Sequence, residues 1–296
     1  MDIHPSIHRS YQRLAFSTQP RRTSERRCRC STAVYSTEQL MTKALAIEAN
    51  GLEKHYGDEQ AVHDLRFSID QGTIYGFLGP NGAGKTSTIR MLTTLTRPSG
   101  GSARIMGHSV EDRAAVTPHI GYLPEEPPLY DELTAREQLT YIAGLRDLPS
   151  ETAAERIGDL LARFDLTDDA DDRISTYSKG MKQKTGIIQA LLHDPAVVFL
   201  DEPTSGLDPR AARTVRETIA DLAAGDSTVL LSTHILPVVE DIADTVGVLS
   251  DGTLVAEGAP DRLKTRVETG TESSLEDVFL ELTEDRTNER EARPAE

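Results

Sequence analysis

Eight consecutive residues, Gly79, Pro80, Asn81, Gly82, Ala83, Gly84, Lys85 and Thr86, have the types and spacing needed to hold a polyphosphate. They match G-x-x-x-x-G-K-[ST] in full. Glycines let the backbone turn so that successive N–H groups converge on phosphate oxygens. A helix expected over Lys85–Leu95 would aim its positive N-terminal end at the same anion, with Ser87 in its first turn. The Lys85 ammonium can neutralise β- and γ-phosphate charge, and the Thr86 hydroxyl can ligate Mg²⁺. A chance match in a chain this long has odds of roughly 1 in 100, before the flanking strand and helix are counted.

A second constellation lies downstream. Val197, Val198, Phe199 and Leu200 form a wholly apolar run that ends in Asp201 and Glu202. Such a run suits a strand covered on both faces, with two carboxylates at its end. Asp201 can hold Mg²⁺ or its waters, and Glu202 can polarise an attacking water. An acidic pair at a strand end is weak by itself; beside a phosphate loop it becomes specific.

The elements that must position these groups read as α/β, short apolar runs alternating with helical patterns. Strands are expected at Leu45–Ala49, Leu65–Ile69, Thr73–Leu78, Ala103–Met106, Ile120–Leu123, Ala196–Leu200, Thr228–Ser232, Thr245–Leu249 and Thr253–Ala256. Asp251-Gly252 between the last two is a hairpin turn signal. From Thr134 to Asp194 the strand signal disappears. Thr134 and Glu137 have capping-box spacing, Glu155–Phe164 has helical spacing, and a third helix is expected from Ser178 to His193. This block, about residues 130–194, reads as a helical subdomain inserted into the α/β core. The acid-rich stretch 167–172 reads as a solvated loop, Ser274–Leu282 as a last amphipathic helix, and residues 285–296 as a disordered tail.

Charge divides the chain. Residues 1–40 hold seven Arg and three acids, a balance of +4, so the rest carries −20 of the total −16. So acidic a body disfavours nucleic acid as a partner. With seven Lys beside 25 Arg, it also suits a high-salt interior, where self-repulsion is screened. Both cysteines, Cys28 and Cys30, fall in the basic stretch, which excludes a disulfide, a cysteine zinc site or a thiol nucleophile in residues 41–296. No apolar run reaches the roughly 18 residues of a membrane span. Residues 1–40 are expected to be a disordered basic leader. Met41, where composition changes sign and a strand pattern starts, is the leading candidate for the true start. Disorder without function, organelle targeting and a basic arm for lipid or nucleic acid are the alternatives.

Five further segments make residues 44–282 resemble the nucleotide-binding subunits of ABC transporters. The stretch Tyr177-Ser178-Lys179-Gly180-Met181-Lys182-Gln183 resembles that family's signature motif, and Ser205-Gly206-Leu207-Asp208 its D-loop. Ser232-Thr233-His234 is similar to its switch histidine, Tyr56-Gly57 to its adenine-stacking position, and the stretch ending at Glu125 to its Q-loop. The resemblance implies a P-loop NTPase core with an antiparallel β subdomain and the α-helical signature subdomain, in one ATPase domain spanning 41–284. It implies ATP and Mg²⁺ as ligands, with Thr86, Asp201 and Glu125 near the metal, Tyr56 on adenine and Glu202 as general base. His234 would contact the γ-phosphate and the water. Ser178 and Gly180 would close over a nucleotide held by a second copy in a head-to-tail homodimer, and Asp208 would couple the two sites.

Two positions depart from the family pattern. Glu125 stands where glutamine is usual and adds negative charge beside the γ-phosphate; Lys179 replaces a signature glycine. The latter is common in subunits serving ABC-2-type exporters, to which the segment Ser274–Leu280 is also similar. The implied role is an ATP-hydrolysing subunit, peripheral on the cytoplasmic face of the cell membrane, that energises a separate multi-span permease. A soluble ABC-type ATPase acting on ribosomes or nucleic acid is the alternative, opposed by the single cassette and the acidic body. A nucleotide sensor without turnover is opposed by the intact Glu202 and His234.

Overall fold

The computed structural model describes residues 44–225 and 227–264. The expected basic leader, the helix expected at Ser274–Leu282 and the tail expected over residues 285–296 lie outside the described residues. Two sheets organise what is described. One is antiparallel, in the order β2-β1-β4-β5, built from β1 (Leu45–Tyr56), β2 (Glu59–Asp70), β4 (Gly100–Ile105) and β5 (His108–Ser109). The other has six strands in the order β10-β9-β3-β8-β7-β6. These are β3 (Ile74–Leu78), β6 (Ile120–Leu123), β7 (Val197–Asp201), β8 (Thr228–Thr233), β9 (Thr245–Ser250) and β10 (Thr253–Gly258). All neighbours in it are parallel except β9 and β10. The α/β class and the antiparallel sheet agree with expectation.

The apolar run at the acidic pair shows why a central strand needs no polar face. All residues of β3, β7 and β8 are buried. Their side chains still alternate: Ile74, Leu78, Val198, Leu200, Val229 and Leu231 join one core, while Tyr75, Phe77, Val197, Phe199 and Leu230 join another. The first core is completed by helices, the second by the antiparallel sheet and α1 (Lys85–Leu92). Within the second core the Phe77 ring meets Phe67 and Tyr75 edge-on at 5.1 and 5.3 Å. The end of β7, and with it Asp201, is therefore fixed from both sides.

The short α2 (Arg113–Val116) precedes β6, and between β6 and β7 lie α3 (Ala135–Leu145), α4 (Ser150–Arg163) and α5 (Lys179–Leu191). The capping box that opens α3 is complete: the Thr134 hydroxyl accepts from the Glu137 amide, and the Glu137 carboxylate accepts from the Thr134 amide. The acid-rich loop before α5 is tied back to α3 by an Arg136–Asp171 ion pair. In the same core, α6 (Pro209–Ala224), α7 (Leu236–Ile242) and α8 (Pro260–Lys264) follow β7, β8 and β10. No described helix is long and apolar enough to cross a membrane.

Several boundaries depart from the expected ones. The first two strands have 12 residues each, more than twice the five expected: β1 is irregular where Gly51 takes φ 63° and then continues through polar residues to a tight Gly57-Asp58 turn. The helix after the phosphate loop stops at Leu92 rather than Leu95, since Thr94 adopts φ 62°, which no helix can continue. Conversely α4 starts at Ser150, directly after Pro149, rather than at Glu155. The Asp251-Gly252 hairpin is as expected, with φ of 46° and 72° at its two central residues.

Candidate functional site

The phosphate loop bridges the end of β3 and the start of α1, and its glycines are there for space and for dihedral angle. Gly82 and Gly84 have φ of 85° and 95°. At Gly84 a Cβ would lie 2.7 Å from the Ala61 carbonyl oxygen, so the loop can pass under β2 only with glycine there. Gly84 is also the N-cap of α1 and offers no side-chain cap, which leaves the first amides of the helix without a side-chain acceptor. Lys85 is 6% exposed. Its ammonium donates to the carbonyls of Gly79 and Pro80 at 2.6 and 3.1 Å and stands 3.7 Å from Glu202 Oε1. Burial pushes its pKa down, and the carboxylates of Glu202 and Asp201 oppose that shift.

β7 delivers the acidic pair beside this loop. Asp201 Oδ1 accepts from the Ser232 hydroxyl at 2.5 Å. Ser232 is its cross-strand neighbour on β8, and its Oγ also accepts from the Glu202 amide at 3.1 Å. Glu202 sits at φ 50°, a left-handed conformation that turns the chain sharply out of the strand. Its Oε1 accepts from His234 Nδ1 at 3.0 Å, which places the proton on Nδ1 if the imidazole is neutral. The base candidate is thus steered by a buried cation on one side and a half-exposed imidazole on the other.

The other oxygens of this pair are unsatisfied. Asp201 Oδ2, Glu202 Oε2 and Thr204 Oγ1 are buried without a partner among the described residues. Buried acceptors of this kind call for a donor. Hydration waters of a magnesium ion, or a reacting water, supply one, so the residues fit such a group. Among the described residues no cluster of three or more His, Cys, Asp or Glu could hold a metal by itself. Magnesium commonly takes one or two protein ligands and shares the rest of its shell with phosphates and water.

A cavity of about 420 Å³ opens over the loop. Of the sequence-derived candidates, Tyr56, Pro80, Asn81, Gly82, Ala83, Gly84, Lys85, Thr86, Ser87, Glu125 and Glu202 line it. Gly79 contributes its carbonyl to Lys85 instead. Asp201 and His234 are not among the lining residues, and His234 meets the cavity through its bond to Glu202. Tyr56 is 45% exposed, with the Lys54 ammonium 5.0 Å from its ring centroid. Two lining residues, Glu59 and Ala61, escaped the sequence reading, as did the bracing role of Ser232.

Ser178, Gly180 and Asp208 do not line this cavity. The Ser178 hydroxyl caps α5 by accepting from the Met181 amide, and Asp208 caps α6 by accepting from the amides of Arg210 and Ala211. Those bonds hold the Asp208 carboxyl below its usual pKa. The two caps lie close to one another. The Lys179 side chain runs over Gly206, and a Cβ at Gly180 would be 3.6 Å from Leu207.

Comparison with known proteins places the chain in a family. The ABC transporter family model matches residues 62–205. The daunorubicin resistance ATP-binding protein DrrA3 of Streptomyces coeruleorubidus is 42% identical over 226 residues, covering 76% of this chain and 71% of that protein. The bacitracin transport ATP-binding protein BcrA of Bacillus licheniformis is 38% identical, covering 78% and 75% respectively. A solved ATP-binding subunit of an ABC transporter superposes with a TM-score of 0.74 at 33% identity, covering 80% of this chain and 99% of that one. With the phosphate loop, the acidic pair and the fold in place, the chain belongs to the ATP-binding proteins of ABC transporters.

Proposed function

We propose that this chain is the ATP-hydrolysing subunit of an exporter, with Glu202 as the general base. The observation that carries the assignment is the position of Glu202 Oε1, 3.0 Å from His234 Nδ1 and 3.7 Å from Lys85 Nζ, at the wall of the phosphate-loop cavity. Phosphates lie on the loop amides and the α1 N-terminus, and Lys85 turns from the loop carbonyls to the β- and γ-oxygens. Water attacks the γ-phosphorus, the bond to the β-bridging oxygen breaks, and the Glu202 carboxylate takes the water's proton. His234 holds that carboxylate in line. Thr86, Asp201 and Glu125 would hold Mg²⁺, which neutralises phosphate charge when bound.

The relatives named for daunorubicin resistance and bacitracin transport support an export role. A separate membrane permease is the partner, which makes the chain peripheral on the cytoplasmic face. Exposed Tyr130, Tyr141 and Leu145, on or beside α3, support a protein contact there. The second half of each site comes from another copy. Ser178 and Gly180 stand at a helix N-terminus outside their own chain's cavity, so a head-to-tail homodimer gives them a phosphate to bind.

Steady-state turnover of Glu202→Gln tests the base. The side chain keeps its shape and loses its basicity, so kcat should fall about 10²- to 10⁴-fold while ATP binding persists. Turnover at the wild-type rate would remove Glu202 from this role.

A further inference from the structure

We propose that the Glu59 carboxylate accepts hydrogen bonds from the ribose hydroxyls of the bound nucleotide. The inference rests on the nucleotide-site reading above and adds a group that reads the sugar.

Glu59 opens β2 and is the direct cross-strand partner of Tyr56 across the Gly57-Asp58 turn. Both residues line the cavity above the phosphate loop. So does Ala61, two residues further along the same strand. The Ala61 carbonyl is the atom that the loop passes beneath at Gly84. β2 therefore works as a ruler. One end abuts the loop that takes phosphate, and the other abuts the aromatic ring. At about 3.3 Å per residue, Glu59 stands roughly 6–7 Å from Ala61 along the strand. In any nucleotide the sugar lies between base and phosphates, so a short carboxylate arm from Glu59 falls at its level.

Chemistry narrows what that arm can meet. An ionised carboxylate only accepts hydrogen bonds, so a phosphate there would be repelled. A ribose presents two hydroxyl donors side by side. The Glu59 side chain is exposed and its carboxylate makes no hydrogen bond or ion pair with any described residue, which leaves its oxygens available to a ligand. Its neighbours differ: Lys54 donates to the Arg97 carbonyl, and Gln60 donates to the Val62 carbonyl. The charge also orients the ligand, because it disfavours a nucleotide bound with phosphates at the Tyr56 end while Lys85 favours them at the other.

The experiment measures dissociation constants of ADP, 2′-deoxy-ADP, 3′-deoxy-ADP and GDP for the wild-type chain, Glu59→Ala and Glu59→Gln. Diphosphates avoid turnover, and ratios between ligands cancel any general effect of the lost charge. The wild type should bind ADP about 3- to 10-fold more tightly than at least one deoxy analogue. Glu59→Ala should bring that ratio to one, and Glu59→Gln, which keeps one acceptor oxygen, should leave part of it. A wild type indifferent to both hydroxyls, or a preference that survives Glu59→Ala, overturns the proposal. So does loss of the ADP-over-GDP preference alone, which would assign Glu59 to the base amine. If the wild type binds none of the four, the nucleotide-site reading itself fails, a result distinguishable from uniform binding without discrimination.

Discussion

Two helices in this chain begin beside a glycine-containing turn with a lysine in their first turn, and they are finished in opposite ways. α1 starts at Gly84, which has no side chain to cap it, and its Lys85 is buried against loop carbonyls and Glu202. α5 starts at Ser178, which caps its own helix, and its Lys179 lies exposed over Gly206. The first terminus leaves its amides and its cation available inside a cavity. The second satisfies one amide locally and faces outward. Capping and anion binding draw on the same N–H groups. An uncapped, walled terminus therefore suits a primary phosphate site, and a capped, open one suits a contact made only when a second surface arrives.

Lys85→Ala attacks the walled side directly. It removes a buried cation from the cavity, and ADP affinity should fall roughly 10- to 100-fold in an equilibrium titration. An unchanged affinity would mean that the loop amides alone hold the phosphates, and the contrast between the two lysines would lose its meaning. A milder and more selective break is Ser178→Asp on the open side. Aspartate caps a helix as well as serine does, so thermal stability should stay level. Its charge would repel a facing phosphate, however, and ATP turnover should drop about tenfold with ADP affinity of the isolated chain unchanged. A parallel loss of ADP affinity would place Ser178 in its own chain's site and end the comparison.

The smallest effect lies behind both termini, where α5 ends. His193 Nε2 donates to the Ile120 carbonyl at 2.9 Å, which leaves the neutral ring with a bare, buried Nδ1 that has no partner among the described residues. Burial, and the charge of Arg146, push its pKa down to about 4. The unfolded chain then binds a proton that the folded one refuses between pH of about 6.5 and about 4. This group's contribution to stability is intact above that window and is lost as pH falls through it. Chemical denaturation at pH 7 and pH 5 should show a destabilisation at the lower pH that His193→Gln reduces by about 1 kcal/mol, after allowance for partial exposure. An identical slope in the variant would assign acid sensitivity to other groups.

The walled side was also the more legible one. Gly79–Thr86 can be found by spacing alone, and the buried run of β7 announces its acidic end, because both signals are local. The Asp251-Gly252 turn is local too. Ser232 was invisible as a brace, since its bond to Asp201 depends on β7 pairing with β8 across an interval that contains α6. Glu59 was invisible for a different reason. It stands next to a tight turn in a polar stretch, and only the irregular pairing of β1 with β2, carried on to Tyr56↔Glu59, brings it to the cavity over the loop. The open side could be recognised only by resemblance, because a serine cap and an exposed lysine have no distinctive spacing.

The backbone of Glu202 has a consequence for how such a protein changes over generations. A glutamate held at φ 50° stores strain of order 1–3 kcal/mol, kept in place by the Ser232 bonds to it and to its neighbour. Glycine or asparagine at that position relaxes the chain and removes a buried carboxylate. Selection for heat tolerance alone would therefore favour variants that have lost the reactive group, and a library screened for folding without a demand for turnover would enrich the dead ones.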